Sequence, residues 1–323
     1  MAATARTTAP GRQGSGDLTA PGKRIWIAIP TFRRPRQLRH LLETLPAVVA
    51  GKDAMLLVAD NDPERQEGAA VVRDLIESGY ELPVTLLPVP EPGLCAVRNA
   101  IVAAALGDPA MRFLAMIDDD EWPQPGWLDA LLACQAAVDA DVVAGPVDSM
   151  FVGPAPRWAH ETLVFRAEER PAGVTAMLWA SNNLLLRRAA LEMLERPWFD
   201  PRFNRSGGED LDYLARLARA GARFGWAPDA RVSEWVPPER ARLGWVLRRM
   251  WRIGCTETLA RRKETPLPVL LIRSVGIVAL RTAGLSALLL PGAHRVDIAG
   301  QWIKSWGRLY ALAGGGHKAY GAL

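Results

Sequence analysis

The sequence predicts an α/β fold: a mostly parallel central sheet flanked by helices, followed by a basic, mainly helical C-terminal extension. Three observations carry this expectation. Short β-rich runs alternate with longer helical segments through the first half. Polar and acidic residues gather where those runs end. Beyond residue 240 acidic residues give way to basic ones around a long apolar stretch.

The chain has 323 residues, 49% hydrophobic and 23% charged, enough to bury a core in one large domain with an appendage or in two domains. Its three cysteines, Cys95, Cys134 and Cys255, form no CxxC pair, so neither a disulfide framework nor a zinc knuckle is expected, and a reducing compartment fits. Residues 1–22 are small, polar and Pro/Gly-rich without an apolar run, which predicts a disordered tail and no export signal. The formal charge of +4 hides an asymmetry. From Arg240 onward 14 Lys/Arg face only Glu257, Glu264 and Asp297, a net +11, whereas residues 1–239 carry −7.

In chain order the expected elements are RIWIAIP, a helix over 35–49, MLLVAD, a helix over 64–78, VTLLPV, a helix over 94–106, FLAMID, a helix over 127–138 and DVVAGPV. Sheets of this kind bind ligands at the carboxyl ends of their strands. Three such ends carry polar chemistry: Pro30-Thr31-Phe32, Asp60-Asn61-Asp62 and Asp118-Asp119-Asp120. The four adjacent acids Asp118 to Glu121 repel one another, and unless they form a solvated turn they require a counter-charge. A second block, Met177 to Arg188 and Arg202 to Trp235, contains GGEDLDYLARLARAG. There Gly207 and Gly208 lead into a helix with Leu211, Leu214 and Leu217 on one face. Glu209 and Asp210 fall in its first turn, where the helix dipole favours carboxylates even without a catalytic role.

Residues 240–263 read as a basic helix, interrupted by Pro266 and Pro268. Val269 to Leu290 is apolar and of membrane-spanning length but contains Arg273 and Arg281. Each arginine at a bilayer centre costs about 2.5 to 3.5 kcal/mol, so the expectation is a helix lying on the membrane surface or pairing with a partner. The competing arrangement is a set of packed soluble helices. The chain divides accordingly into a tail (1–22), an α/β domain (23–240) and a membrane-associating region (241–323).

Taken in order, IAIPTFRRP, VADNDP, EPGLCAVRNA, MIDDDEWPQPGWL, ASNNLLLRR and GGEDLDYLARLARAG resemble the inverting family 2 glycosyltransferases of GT-A fold, in particular bacterial enzymes of succinoglycan-type exopolysaccharide assembly. The resemblance covers about residues 24–240. It implies transfer of one sugar from a nucleotide-diphospho-sugar, UDP-linked in the favoured case, to a glycan or polyprenyl-diphosphate-linked acceptor at the cytoplasmic face of the plasma membrane. Asp118 to Asp120 then correspond to the DxD motif. Its missing positive charge would be Mg²⁺ or Mn²⁺, ions that suit hard carboxylate oxygens and offset charge growing on a departing diphosphate. Asp120 is the first candidate for metal contact, Asp118 for metal or ribose, and Asp119 for support.

By the same resemblance Pro30, Thr31 and Phe32 line the base, and Asp60 meets base or ribose, with Asp62 a weaker candidate. Arg98 and Asn99 face phosphate, a plain salt bridge being the alternative for Arg98. Asp210 matches the general base, with Glu209 orienting it or the acceptor and Asp212 in reserve. Inversion itself is inherited from the resemblance. Trp158 and Trp179 are stacking candidates whose competing role is core packing, and Asn182 and Asn183 are candidates for sugar hydroxyls. Where some GT-A enzymes carry a metal-binding histidine this chain has Glu234. The absence of QxxRW disfavours a processive synthase, and the absence of GxGxxG or GxxxxGK[ST] disfavours dinucleotide and P-loop folds. The alternatives are a sugar-nucleotide nucleotidyltransferase, against which a missing glycine-rich basic loop counts, and a non-catalytic membrane-surface or nucleic-acid-binding protein. No nucleic-acid partner is expected.

Overall fold

The structure, a computed structural model, describes residues 24–204, 206–290 and 294–315. The tail expected over 1–22 lies outside the described residues.

β1 (Arg24–Thr31) is buried along almost its whole length, which is why it reads as a continuous apolar run. Its side chains still alternate. Ile25, Ile27 and Ile29 enter one apolar layer, while Trp26 and Ala28 enter the other. α1 (Pro35–Val48) starts on a proline, whose fixed φ suits a first helical turn, and buries Leu38, Leu41, Leu42 and Leu45. The alternation continues through β2 (Ala54–Asp60), α2 (Glu67–Glu77), β3 (Val84–Pro88), α3 (Leu94–Gly107) and β4 (Met111–Ile117). β5 (Glu121–Pro123), α4 (Trp127–Val138), β6 (Val142–Ala144) and β7 (Val147–Phe151) follow. DVVAGPV is thus two strands rather than one. Pro146 cannot donate to a ladder, and the chain changes sheets there.

α5 (Arg157–Glu161), β8 (Gly173–Thr175), β9 (Asn183–Arg187), α6 (Arg188–Glu192), α7 (Glu209–Arg219), β10 (Phe224–Trp226) and β11 (Val232–Val236) complete the α/β part. The main sheet has the order β3-β2-β1-β4-β9-β6-β10-β8. The β3-β2-β1-β4 half is parallel, whereas β9 runs antiparallel to both β4 and β6. β9 follows a connection whose only helix is the five-residue α5, and antiparallel entry needs no long crossover helix. β5, β11 and β7 form a second, three-stranded sheet. The turn between β4 and β5, where the chain passes from one sheet to the other, holds Asp118, Asp119 and Asp120.

The C-terminal part is helical: α8 (Leu243–Arg262), α9 (Leu267–Ala283), a 3₁₀ turn (Gly284–Leu289) and α10 (Arg295–Leu312). α8 and α10 cross at backbone distance. A Cβ added at Gly254 would lie 2.0 Å from the Lys304 carbonyl oxygen, and one at Gly307 would lie 2.3 Å from that of Trp251. Glu257 accepts from Lys304 (2.6 Å) and Arg308 (3.1 Å) across the same crossing. α9 buries only the stripe Leu270, Ser274 and Val278 and leaves Leu271, Ile272, Val275 and Leu280 exposed. The α8 end is bound to the α/β part by Lys263, which donates to Asp200 (2.7 Å) and to Asp212.

Candidate active site

The carboxyl ends of β1, β2 and β4 open into a cleft of about 980 Å³. Pro30, Thr31 and Phe32, Arg98, Asp118 to Glu121, Asn182, Glu209, Asp210 and Glu234 all line it. Motifs separated by more than 100 residues therefore meet in one place. Asp60, Asp62, Asn99, Trp179, Asn183 and Asp212 are not among the lining residues.

The acid cluster has counter-charges of its own. Asp119 is buried and accepts from the Thr31 hydroxyl (2.8 Å), the Phe32 amide (3.3 Å) and Arg34 (2.8 Å), so it ties the β1 end to the β4–β5 turn. Asp120 lies 3.0 Å from the same Arg34 nitrogen and accepts from Arg240 at 3.3 Å. Arg240 also donates to Glu234 at 2.6 Å. The register of β11 against β5 sets Glu234 opposite Glu121. Glu121 is buried rather than solvated. It accepts from the Asp118 amide (3.1 Å) and the Asn182 side chain (2.5 Å).

Arg98, buried on α3, connects the two acidic halves. One nitrogen bonds Glu209 (2.5 Å) and Asp210, and the other lies 3.9 Å from Asp118. The salt-bridge alternative for Arg98 is thus realised, with three carboxylates. Ser181 donates to the same Asp210 oxygen, Oδ1, at 2.6 Å, and Asp210 lines the cleft. The glycine pair before α7 has a local cause: Gly208 sits at φ +94°, and a Cβ there would come within 3.0 Å of the Thr256 side chain on α8.

The electrostatics follow from crowding acids in a place poor in solvent. Asp118 turns 35% of its side chain to the cleft but is otherwise surrounded by protein. That enclosure pushes its carboxyl up to about 7, Arg98 opposing the rise and Asp120 and Asp210 adding to it. Burial and the neighbouring Asp210 push Glu209 up to about 7 against the pull of Arg98, and its Oε2 has no hydrogen-bond partner among the described residues. Glu121 stands well above its ordinary value through burial, then Asp118 and Glu234, and Glu234 is raised by burial and Asp120. The floor of the cleft therefore gathers more carboxyls than arginines, and burial favours the neutral form of several of them.

The donor set is hard oxygen. Among the described residues no group of three or more His, Cys, Asp or Glu is arranged to hold a metal ion. Any ion at this turn would be held by one or two carboxylates and completed by phosphate oxygens and water, a common arrangement for Mg²⁺; Asp118 and Asp120 are the turn's carboxylates that line the cleft, Asp120 being paired with Arg34 and Arg240.

Other expected residues serve as struts. Asp60 is buried and accepts from the Asp62 amide (3.0 Å) and the Ala69 amide (2.7 Å), closing the β2–α2 turn. Asp62 pairs with Arg33 at 3.0 Å, and that bond is the largest cause holding its carboxyl below the ordinary range. Asn99 clamps Phe199 from both sides, donating to its carbonyl (2.7 Å) and accepting from its amide (2.9 Å), and borders a separate cavity of about 360 Å³. Asn183 donates to the Pro146 and Ala230 carbonyls and accepts from the Trp127 indole (2.8 Å). Asp212 pairs with Arg216 (2.9 Å) and Lys263. Trp179 is half-exposed outside the cleft lining, and Trp158 sits on α5.

Sequence reasoning missed Arg34, Arg240, Ser181 and the α8 residues Trp245, Arg249 and Arg252, all part of the site. The doublet Arg33-Arg34 directly after β1 was an available signal, since a basic pair at a strand end faces whatever the neighbouring strand end carries.

Comparison with known proteins places the chain. Residues 26–200 match the family described as Glycosyl transferase family 2. The chain is 36% identical over 243 residues to the succinoglycan biosynthesis protein ExoM of Rhizobium meliloti, covering 72% of this chain and 73% of that protein. It is 30% identical over 217 residues to a pre-mycofactocin glycosyltransferase of Mycobacterium tuberculosis, covering 62% of this chain and 44% of that protein. In fold it is similar to the mannosyltransferase PcManGT of Pyrobaculum calidifontis, solved with GDP-Man and Mn²⁺, with TM-score 0.58, 16% identity, and 90% and 87% of the two chains covered. It is also similar to GalNAc-T7, solved with UDP, GalNAc and Mn²⁺, with TM-score 0.51, 13% identity, and 66% and 43% covered.

Proposed function

The chain belongs to glycosyl transferase family 2, and from that membership we propose that it moves one sugar, with inversion, from a nucleotide-diphospho-sugar to a glycan or lipid-linked acceptor in polysaccharide or cell-envelope biosynthesis. The observation that carries the reading is Arg98, which joins the strand-end acid Asp118 to the helix-start acids Glu209 and Asp210 in one cleft.

Asp120 and Asp118 would hold Mg²⁺ or Mn²⁺. When bound, that ion would offset the negative charge that grows on a departing nucleoside diphosphate. Pro30, Thr31 and Phe32 line the side of the cleft suited to the base, and UDP is the favoured nucleotide. Asp119 keeps the β1 end and the acid turn in register.

Asp210 is the proposed general base. Arg98 and Ser181 both donate to its Oδ1, so the carboxylate is oriented and Oδ2 remains to take the proton of an attacking acceptor hydroxyl. Glu209, bonded to the same Arg98 nitrogen, fixes that arginine. Asn182, held by Glu121, is positioned at the cleft for substrate hydroxyls. Glu234 lies on the metal side of the cleft beside Asp120, with Arg240 between them.

The reading includes a place of work: the cytoplasmic membrane face, beside a polyprenyl-diphosphate-linked acceptor. What supports it is the exposed apolar face of α9 within a 23-residue apolar span, Leu267–Leu289, most of it unburied, next to the basic α8. Arg273 and Arg281 favour a helix lying shallow over one that crosses.

Donor hydrolysis tests the chemistry without knowledge of the acceptor. A set of UDP- and GDP-sugars is incubated with Mg²⁺ or Mn²⁺, and free sugar is measured. Slow hydrolysis of one donor, absent with EDTA and in Asp120→Ala, is expected. Equal hydrolysis with and without the ion would remove the metal from the reading.

A further inference from the structure

Building on the reading above, in which Asp120 holds the ion, we propose that Arg240 is the exchangeable counter-ion of that carboxylate. The guanidinium neutralises Asp120 until a divalent cation takes it, and is then retained by Glu234. Arg240 is in this sense a positioning residue, which sets how tightly the ion binds without a nucleotide.

Two arginines bond Asp120 at the same oxygen, Oδ2, and they are held differently. Arg34 stands between β1 and α1, and a single nitrogen serves both Asp119 (2.8 Å) and Asp120 (3.0 Å). Asp119 is buried and also takes the Thr31 hydroxyl and the Phe32 amide, so moving Arg34 would strip the cation from a buried carboxylate, a costly loss. Arg240 uses both ends of its fork. Nη1 donates to Glu234 at 2.6 Å, and Nη2 reaches Asp120 at 3.3 Å, the longer of the two arginine contacts on that oxygen. The Asp120 end can let go while the Glu234 end stays.

The surroundings give the released end a place. Arg240 lies in the connection between β11, which ends at Val236, and α8, which starts at Leu243. On the first turn of α8 the centre of the Trp245 ring is 5.9 Å from the guanidinium carbon, within reach of a cation–π contact. Asp120, Glu234, Arg240 and Trp245 all line the cleft, so a side-chain rotation is enough and no strand has to move. Charge supplies the drive. An ion on Asp120 would stand beside two guanidinium groups and repel them at close range. Arg249 strengthens that field, since its charge acts on Glu234 as that of Arg240 does. Arg34 is tied to Asp119, which leaves Arg240 to yield. A nucleoside diphosphate offsets the same repulsion, so the ion should bind weakly alone and more tightly with a nucleotide.

Mn²⁺ binding to the full-length protein is measured from the electron paramagnetic resonance signal of the free ion, first without nucleotide and then with saturating UDP or GDP. Arg240→Gln should tighten the binding of Mn²⁺ alone about tenfold and shrink the further gain that the nucleotide brings. Arg252→Gln removes an equal charge from the cleft lining but, among the described residues, no bond to Asp120 or Glu234, and should change the affinity less than about threefold. Glu234→Gln removes the second hold on the guanidinium and should weaken Mn²⁺ several-fold, a readout of opposite sign that survives if Arg240→Gln does not fold. Unchanged or weaker binding in Arg240→Gln would overturn the exchange. So would an equal gain in Arg252→Gln, or unchanged or tighter binding in Glu234→Gln. Each of these leaves the metal reading standing as long as wild type binds Mn²⁺ with a nucleotide. Absence of Mn²⁺ binding from wild type and Arg240→Gln alike, with and without nucleotide, would remove the ion from the reading and the exchange with it.

Discussion

The two walls of the cleft are built differently. The strand-end wall is made of acids carried on the β4–β5 turn (Asp118 to Asp120) and the first turn of α7 (Glu209 and Asp210), and fixed there by Thr31, Arg34, Arg98 and Ser181 of the α/β part. The α8 wall is made of arginines carried on a long helix that reaches the cleft only because it packs against α10 and against the Gly208 turn. The first wall is held mainly by partners from the α/β part; the second is carried on the C-terminal helices. Damage to the acids should therefore act on chemistry with little effect on folding, and damage to the α8 crossing should act on the wall as a unit.

The largest effect is expected at the floor. Asp210→Asn should lower transfer by about 10² to 10⁴ while nucleotide binding and the melting temperature stay close to wild type. Initial rates together with thermal melts test this, and transfer within a few-fold of wild type would shift the base to Glu209 or Asp212.

Next is the helix crossing. Gly254→Leu places side-chain atoms where the Lys304 carbonyl stands, an overpacking that costs about 1 to 3 kcal/mol. Denaturation followed through tryptophan fluorescence should show the loss. A neutral outcome would mean that α10 does not hold α8 in place.

Asn183→Ala should follow, destabilising by about 1 to 3 kcal/mol because two carbonyls and an indole lose their buried partner. Its neighbour should act mainly on chemistry. Asn182→Ala should reduce transfer and cost less stability than Asn183→Ala, since one buried partner, Glu121, rather than three loses a bond. The smallest effect belongs to the module's outer face: Ile272→Glu with Leu280→Glu should reduce sedimentation with anionic vesicles several-fold without changing donor hydrolysis. Undiminished sedimentation would mean that the basic residues alone bind the membrane.

The Asn182–Asn183 pair also shows where the sequence was legible and where it was not. Strand and helix existence, the parallel β3-β2-β1-β4 half and the meeting of the acidic motifs at one cleft were readable, because each follows from a local pattern of apolar runs and strand-end polarity. Which of two adjacent asparagines faces the cleft depends on strand phase, and strand phase at the first residue of β9 is set by its pairing with β4 and β6. Asp60 and Asn99 failed to line the cleft for a related reason: short polar side chains at turns bond the nearest backbone amide or carbonyl as readily as a ligand. The antiparallel placement of β9 was hidden because direction is a property of the connection, not of the strand. Arg249 and Arg252 were hidden because a basic helix face reads the same whether water or a cleft lies beside it.

The proposed function requires the acids of the β4–β5 turn to hold a nucleoside diphosphate through a divalent ion. Calorimetric titration of UDP and of GDP into the full-length protein, with Mn²⁺ and then with excess EDTA, tests it most directly, repeated on Asp120→Ala. At least one nucleotide should bind with Mn²⁺, EDTA should abolish the binding, and Asp120→Ala should weaken it at least tenfold. Equal affinity in Mn²⁺ and EDTA, or wild-type affinity in Asp120→Ala, would contradict it.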